Sequence, residues 1–392
     1  MSNLSHLAAA SLLLASVALA PIMASAEAPQ QFIPDIIISS TIPGNGDLNP
    51  YGVAFVPRGF PSGGTIAPGD ILVSNFNNNT ITLQNPGGIQ GTGTTIIQLP
   101  RNGPIAPAVP AGQPGNATTF FQGTGLGLTT ALGVLQRGFV LVGNVPTSGG
   151  VIQPGSLLLL DKNGKQLTLS NSPSINALLS DPWDLTIDDQ FDHALVFVSN
   201  VNNPVNGSGQ TQNTQGFVTR LNLTISASGV AVSGATMIAN GYTVAANAAA
   251  LVLGPTGLAY DAQTDTLYVA STNDNAIFAV SHAGSRNGSS GTGTPIFRDE
   301  HLRGPLALVF APNGDLITSN GDAVNGDPMQ PSEIVEFTKT GRFVGQFNVD
   351  AGQGGAFGIG ISMVNNNTAR LAFVDDNANN ITVIDQNLSS GD

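Results

Sequence analysis

The sequence predicts an all-β protein built as a six-bladed propeller. Each blade is a four-stranded antiparallel sheet, and an N-terminal strand pairs with the C-terminal blade to close the ring. Three observations predict it. A three-strand phrase recurs six times; Gly, Asn and Asp fill the turns between its strands; and a spare strand near the N-terminus matches a missing one at the C-terminus. Sheets repeated around an axis leave only short, protected edges. Pairing the last sheet with the first strand removes the one edge that remains.

The clearest copy is the fourth, with strands at 254–261, 266–273, 276–280 and 295–298. β-Branched and aromatic residues fill these runs, and turn formers separate them. The first copy reads 49–55, 70–75, 80–83 and 95–99, and the second 125–128, 138–144, 155–161 and 166–169. The third reads 181–188, 195–200, 217–221 and 235–238, and the fifth 304–310, 315–320, 333–337 and 343–347. The sixth has only 358–361, 371–376 and 381–385, so residues 33–42 are expected to supply its fourth strand. The blades then span about 50–100, 123–170, 182–239, 255–298, 304–348 and 356–386 plus 33–42, within one domain at 27–392.

Composition sets limits on function. The chain has 392 residues and 9 % charged residues, with 12 Lys and Arg against 25 Asp and Glu for a net charge of −13. So acidic a surface does not neutralise phosphates, which excludes nucleic acid and anionic membranes as partners. No Cys is present, so there is no disulfide framework, thiolate zinc site or cysteine nucleophile. The apolar run 7–19 followed by Ala24-Ser25-Ala26 has the layout of a secretory signal peptide, cleaved after residue 26. The run is shorter than the roughly 20 residues a membrane span needs. The expectation is an exported, monomeric protein, periplasmic or extracellular, with no transmembrane segment after cleavage.

The repeated phrase resembles the NHL-repeat and related six-bladed, TolB-like propellers of exported bacterial type. The fourth copy carries the likeness best, through Gly257, Ala259, Asp261, Tyr268, Val269, Ala270 and Asn275. The resemblance implies a fold more than a function, because propellers host unrelated activities. Relatives that look like gluconolactonases hold a divalent cation at the channel mouth with one Glu and Asn/Asp residues at the starts of inner strands. The matching starts here are Asn49, Gly123, Asp181, Gly254, Arg303 and Gly355, and no Glu is among them.

Most long insertions fall between strands two and three or between consecutive blades, so they share one face. Loops on a rigid ring are where binding usually resides, and this face is the expected binding surface. Asn75, Asn144, Asn200, Asn273 and Asn320 end second strands near it. They offer oxygens to a ligand, or serve the turns themselves, since Asn and Asp bond their own backbone and tolerate left-handed φ. Trp183, the only Trp, lies between Asp181 and Asp184 and is a candidate stacking surface. Asn49, Asp181, Asp184 and Asp376 are candidate ligands for a divalent cation such as calcium; no other cofactor is expected. His193, His282 and His301 fall in separate turns and do not form a three-His site. The leading reading is a binding module for a protein, peptide or glycan. The alternative is a metal-dependent hydrolase or lyase of the gluconolactonase-like type.

Overall fold

The computed structural model describes residues 35–83, 87–148, 151–170, 173–201, 215–247, 250–321 and 326–388. The expected signal peptide and residues 33 and 34 of the closing strand lie outside them. The fold is that of the unit Asp35–Asp392. Six four-stranded antiparallel sheets follow one another along the chain, each with its first strand innermost. Blade one is Leu48–Phe55, Ile71–Asn77, Thr95–Leu99 and Thr118–Gln122, and blade two Leu132–Leu135, Phe139–Asn144, Ser156–Asp161 and Gln166–Leu167. Blade three is Pro182–Asp189, His193–Asn200, Gln215–Ser226 and Gly229–Thr243. Blade four is Pro255–Asp261, Thr266–Ser271, Ala276–Ser281 and Thr294–Phe297, and blade five Pro305–Phe310, Leu316–Asn320, Glu333–Phe337 and Phe343–Asn348.

Blade six takes three strands from the C-terminus, Ala356–Asn365, Thr368–Asp375 and Asn380–Asn387, and its outer strand is Ile36–Ser40. The register runs from Ile36 opposite Ile384 to Ser40 opposite Asn380. The surplus strand and the missing strand therefore meet as the sequence predicts, and the ring closes.

Two blades differ from expectation. In blade one, 80–83 is not the third strand. Thr95–Leu99 pairs directly with the second strand, and Thr118–Gln122, expected to be loop, is the fourth. Burial decides it: every residue of Thr95–Leu99 is buried, whereas Ile81 is 40 % and Leu83 98 % exposed. In blade two, the inner strand is Leu132–Leu135 rather than 125–128. Leu128 forms only an isolated bridge to Val145, while Leu132 opposite Val142 continues the sheet.

Hydrophobic clusters fill the wedges between blades. Polar clamps join blades near the axis. The Ser199 hydroxyl accepts the Asp184 N–H (3.0 Å) and donates to the Thr256 carbonyl of the next blade (2.7 Å). Ser319 repeats the pattern with Ala307 and Phe357. At the turns, Asn275 accepts the N–H of Gly304 and Asn379 that of Asn49, both at 2.8 Å. Each bond satisfies a buried amide and fixes the angle to the next blade.

Candidate functional site

The inner strands begin alike. In three blades the residue before the leading Pro has left-handed backbone: Asn49 (φ 63°), Asp181 (φ 62°) and Gly304 (φ 80°). Asn and Asp are the non-Gly residues that tolerate this best, so the backbone accounts for these two residue types. A bulge follows. Register jumps between Pro50 and Val53, Pro182 and Asp184, Pro255 and Leu258, Pro305 and Leu308, and Ala356 and Ile359. Bulges re-aim side chains, and here they send the residue after Pro50, Pro182, Pro305 and Ala356 toward one end of the channel.

Four such residues, Tyr51, Trp183, Leu306 and Phe357, are buried in a single apolar cluster. The Tyr51 ring stacks on Phe357 at 5.1 Å and meets Trp183 edge-on at 5.8 Å. The Trp183 Nε1–H donates to the Tyr51 hydroxyl at 2.9 Å. Blades one and three are not neighbours, so this bond crosses the ring. Loops reinforce the closure: Thr147 donates to the Gly91 carbonyl, and a Cβ on Gly91 would meet Leu251 and Leu128. Segments of blade one, blade two and the link between blades three and four thus converge over this end. Burial pushes the Tyr51 hydroxyl well above its ordinary pKa, so it stays neutral.

Below this plug the channel is a cavity of about 410 Å³ lined by the inner strands of all six blades. Exposure rises along it. The plug residues are at most 9 % exposed, whereas Val53, Phe55, Thr186, Tyr260, Phe310 and Ile361 are partly exposed. The channel therefore opens where strands one and two join, on the short-turn face. This differs from the expectation that the long loops build the binding face. The physical reason is that their apolar residues, Leu128, Val145, Ile152 and Val252 among them, are spent on covering the channel end.

One register position distinguishes the blades, and in four of them it lines the channel. Counting from the register, Gly52, Ala131, Asp184, Gly257, Ala307 and Gly358 occupy equivalent places, at or one residue before the point where the regular ladder of each inner strand begins. Five blades put Gly or Ala there, and blade three puts a carboxyl. Glycine suits the place because the next blade's carbonyl presses close: a Cβ on Gly257 would lie 2.3 Å from Leu306 O. Asp184 Oδ1 accepts the Leu185 N–H (2.8 Å) and Oδ2 the Leu258 N–H of blade four (3.3 Å). Burial raises its pKa to about 7, against the lowering effect of those two amides.

The other sequence candidates lie elsewhere. Trp183 is 0 % exposed, with its ring inside the plug. Asn75 donates to Thr41 O, Asn144 accepts Gly127 N–H, Asn200 donates to Val198 O, and Asn320 holds Arg303 N–H and His301 O. These bonds tie second strands to neighbouring backbone. Asn273 donates to Leu253 O and lies past its strand, where Ser271 is the register equivalent of Asn75. Asp375, not Asp376, holds that place in blade six. Burial raises the Asp375 carboxyl to about 6 and pushes Asp376 well up, with the charges of Asp375 and Asp350 adding to it.

The resemblance implies a divalent cation, and the candidate carboxylates do not converge on one place. Asp181 Oδ1 accepts the Gly155 N–H, Asn49 and Asp181 are buried, and aromatic rings hold the closed end of the channel. Among the described residues no three His, Asp or Glu come together to hold a metal ion, so Asp181, Asp184 and Asp376 do not share a site. Sequence reasoning missed Tyr51 and Phe357. The signal was an aromatic residue at the same step in three copies: Pro50-Tyr51, Pro182-Trp183 and Ala356-Phe357.

No protein-family model matches the sequence, and no curated protein matches it. Solved structures do resemble it. A gluconolactonase from Xanthomonas campestris superposes with a TM-score of 0.53 at 14 % identity, covering 89 % of each chain. An α-L-arabinofuranosidase from Fusarium graminearum gives 0.50 at 11 % identity, covering 90 % of this chain and 98 % of that one. The calcium-binding protein regucalcin from Agrobacterium tumefaciens gives 0.45 at 11 % identity, covering 88 % and 93 %. At these identities the likeness is one of fold, the six-bladed propeller.

Proposed function

We propose that the protein is a hydrolase- or lyase-type propeller that takes a small molecule into the central channel from the short-turn face, with Asp184 as its acid–base group. The single observation that carries this reading is Asp184 itself. It is the one carboxyl in a ring of Gly and Ala, and its pKa is about 7. A group near neutrality can take a proton and return it within one turnover. In hydrolysis, Asp184 removes a proton from water as its oxygen bonds to the acyl carbon. The protonated carboxyl then gives that proton to the departing oxygen as the old bond breaks. The solved gluconolactonase and arabinofuranosidase, which are enzymes on this fold, support the reading as analogy.

The test is a screen of lactones and aryl esters with the purified protein, followed by Asp184→Asn. The expected result is turnover with a pH inflection near 7, falling about 100-fold or more in kcat in the variant with KM little changed. Turnover unaffected by the substitution overturns the assignment. A second reading has its own observation: both Asp184 carboxyl oxygens accept backbone N–H groups, of Leu185 and Leu258, which suits a fixed polar anchor in a pure binding site. In that case no substrate turns over, and Asp184→Asn weakens a bound ligand instead. We further propose export, on the strength of the N-terminal run and Ala24-Ser25-Ala26. An exported chain beginning at Glu27 is the expected outcome of N-terminal sequencing.

A further inference from the structure

We infer that the channel ligand carries a small anionic head, a carboxylate or sulfonate, held at the channel's open end by Arg58 and Arg101. The inference rests on the channel reading above. A pocket of about 40 Å³ lies between blades one and six, lined by Arg58, Arg101 and Arg370 with Phe55, Ser362 and Met363. Three of only 12 basic residues converge there, in a chain with 25 acidic ones. Where acids outnumber bases two to one, arginines are expected to find carboxylates, and Arg370 does, in a bidentate pair with Asp385 at 2.6 and 2.7 Å. The other two do not. Arg58 donates only to the Met363 carbonyl, at 2.9 Å, and the Arg101 guanidinium has no partner among the described residues. The buried Asp70, next to Gly69 of the pocket wall, is taken up by the N–H groups of Ala67 and Arg101 and the Gln98 amide.

Both arginines line one small pocket, and an anion that enters it gains charge-assisted hydrogen bonds from them. A space of this size admits a carboxylate head and little more. The pocket lies beside the open end of the channel, because Phe55 lines both and Ser362 directly follows the lining residue Ile361. Phe55 stands three residues beyond Gly52, the equivalent of Asp184. At about 3.3 Å per residue, the head lies roughly 10 Å along the channel from the Asp184 level. The ligand class is therefore an elongated, largely apolar or ring-shaped body ending in one negative charge.

Two fluorescent probes of similar shape test this with the full mature protein. 1-Anilinonaphthalene-8-sulfonate carries the anion, and N-phenyl-1-naphthylamine does not. Titration is expected to show tighter binding of the sulfonate. Arg58→Ala with Arg101→Ala should weaken it about tenfold and leave the neutral probe within twofold; Arg58→Lys with Arg101→Lys should restore most of the loss. Thr186→Phe, which narrows the channel, should displace both probes. If it displaces both but the double alanine variant leaves the sulfonate unchanged, the anion pocket is overturned and the channel reading stands. If it displaces neither probe, the channel reading falls and this inference with it.

Discussion

The two ends of the channel are built from the same six strands and end up with opposite properties. At one end Tyr51, Trp183, Leu306 and Phe357 are buried together under converging loops. At the other, Thr186, Tyr260, Phe310 and Ile361 stand partly open around a cavity of about 410 Å³. The difference arises from one bulge in each of five inner strands. Before it the side chains cross the axis and meet; after it they return to the wedges between blades and leave the lumen free. Loop length is thus a poor guide to which face binds. Long loops here supply a lid with its own apolar contacts, and short turns leave the way in.

The largest effect that would sharpen this comparison is Trp183→Ala. It removes a fully buried indole and the donor that meets the Tyr51 hydroxyl. Substitutions of this kind cost about 3–5 kcal/mol, to be measured by urea unfolding. A loss under about 1 kcal/mol would mean that the closed end is not part of the cooperative core.

Next comes Asp184→Asn, read as stability against pH. The folded carboxyl titrates near 7, above its ordinary value of 3.8, so the folded state binds the proton more tightly than the unfolded state. The stabilisation is complete below about pH 4 and is lost as pH rises through about 7. Channel solvent reduces the effect to on the order of 2 kcal/mol. Asn has no charged form, so the variant should gain on the wild type by that amount between about pH 4 and pH 8. Parallel curves would show that Asp184 is not desolvated. Tyr51→Phe should cost less, about 1–2 kcal/mol, by leaving the buried Trp183 N–H without its acceptor. An unchanged unfolding midpoint would break the claim that this bond helps to close the channel.

The repeat was legible because each copy carries its own strand and turn chemistry, and the ring closure because one surplus matched one deficit. The third strand of blade one was misread for a physical reason. Residues 80–83 and 95–99 are both β-branched and apolar, and only tertiary pairing shows which run enters the sheet. The Asn series was legible as turn chemistry: Asn144 and Asn320 accept the backbone N–H groups of Gly127 and Arg303. Asp184 was singled out, but its isolation was hidden, because the small residues around it become its equivalents only once the register is known. Arg58 and Arg101 lie far apart in sequence, and only the pairing of blade one's first and third strands with the second between them brings them to one pocket.

The smallest expected effect is the one that most sharply separates the two ends. Thr186 is two residues beyond Asp184, partly exposed and in the channel wall. Thr186→Val keeps the shape and β-branching and removes a hydroxyl that faces channel solvent. Substitutions at such positions stay within about 0.5 kcal/mol. The comparable change at the closed end, Tyr51→Phe, also deletes a single hydroxyl, so the pair holds the chemistry constant and varies only the environment. A several-fold larger loss at Tyr51 than at Thr186 in urea unfolding would show that one end is core and the other is site. Equal losses would mean that the lumen at Thr186 is closed, and the proposed way in for a ligand would have to be sought on the opposite face.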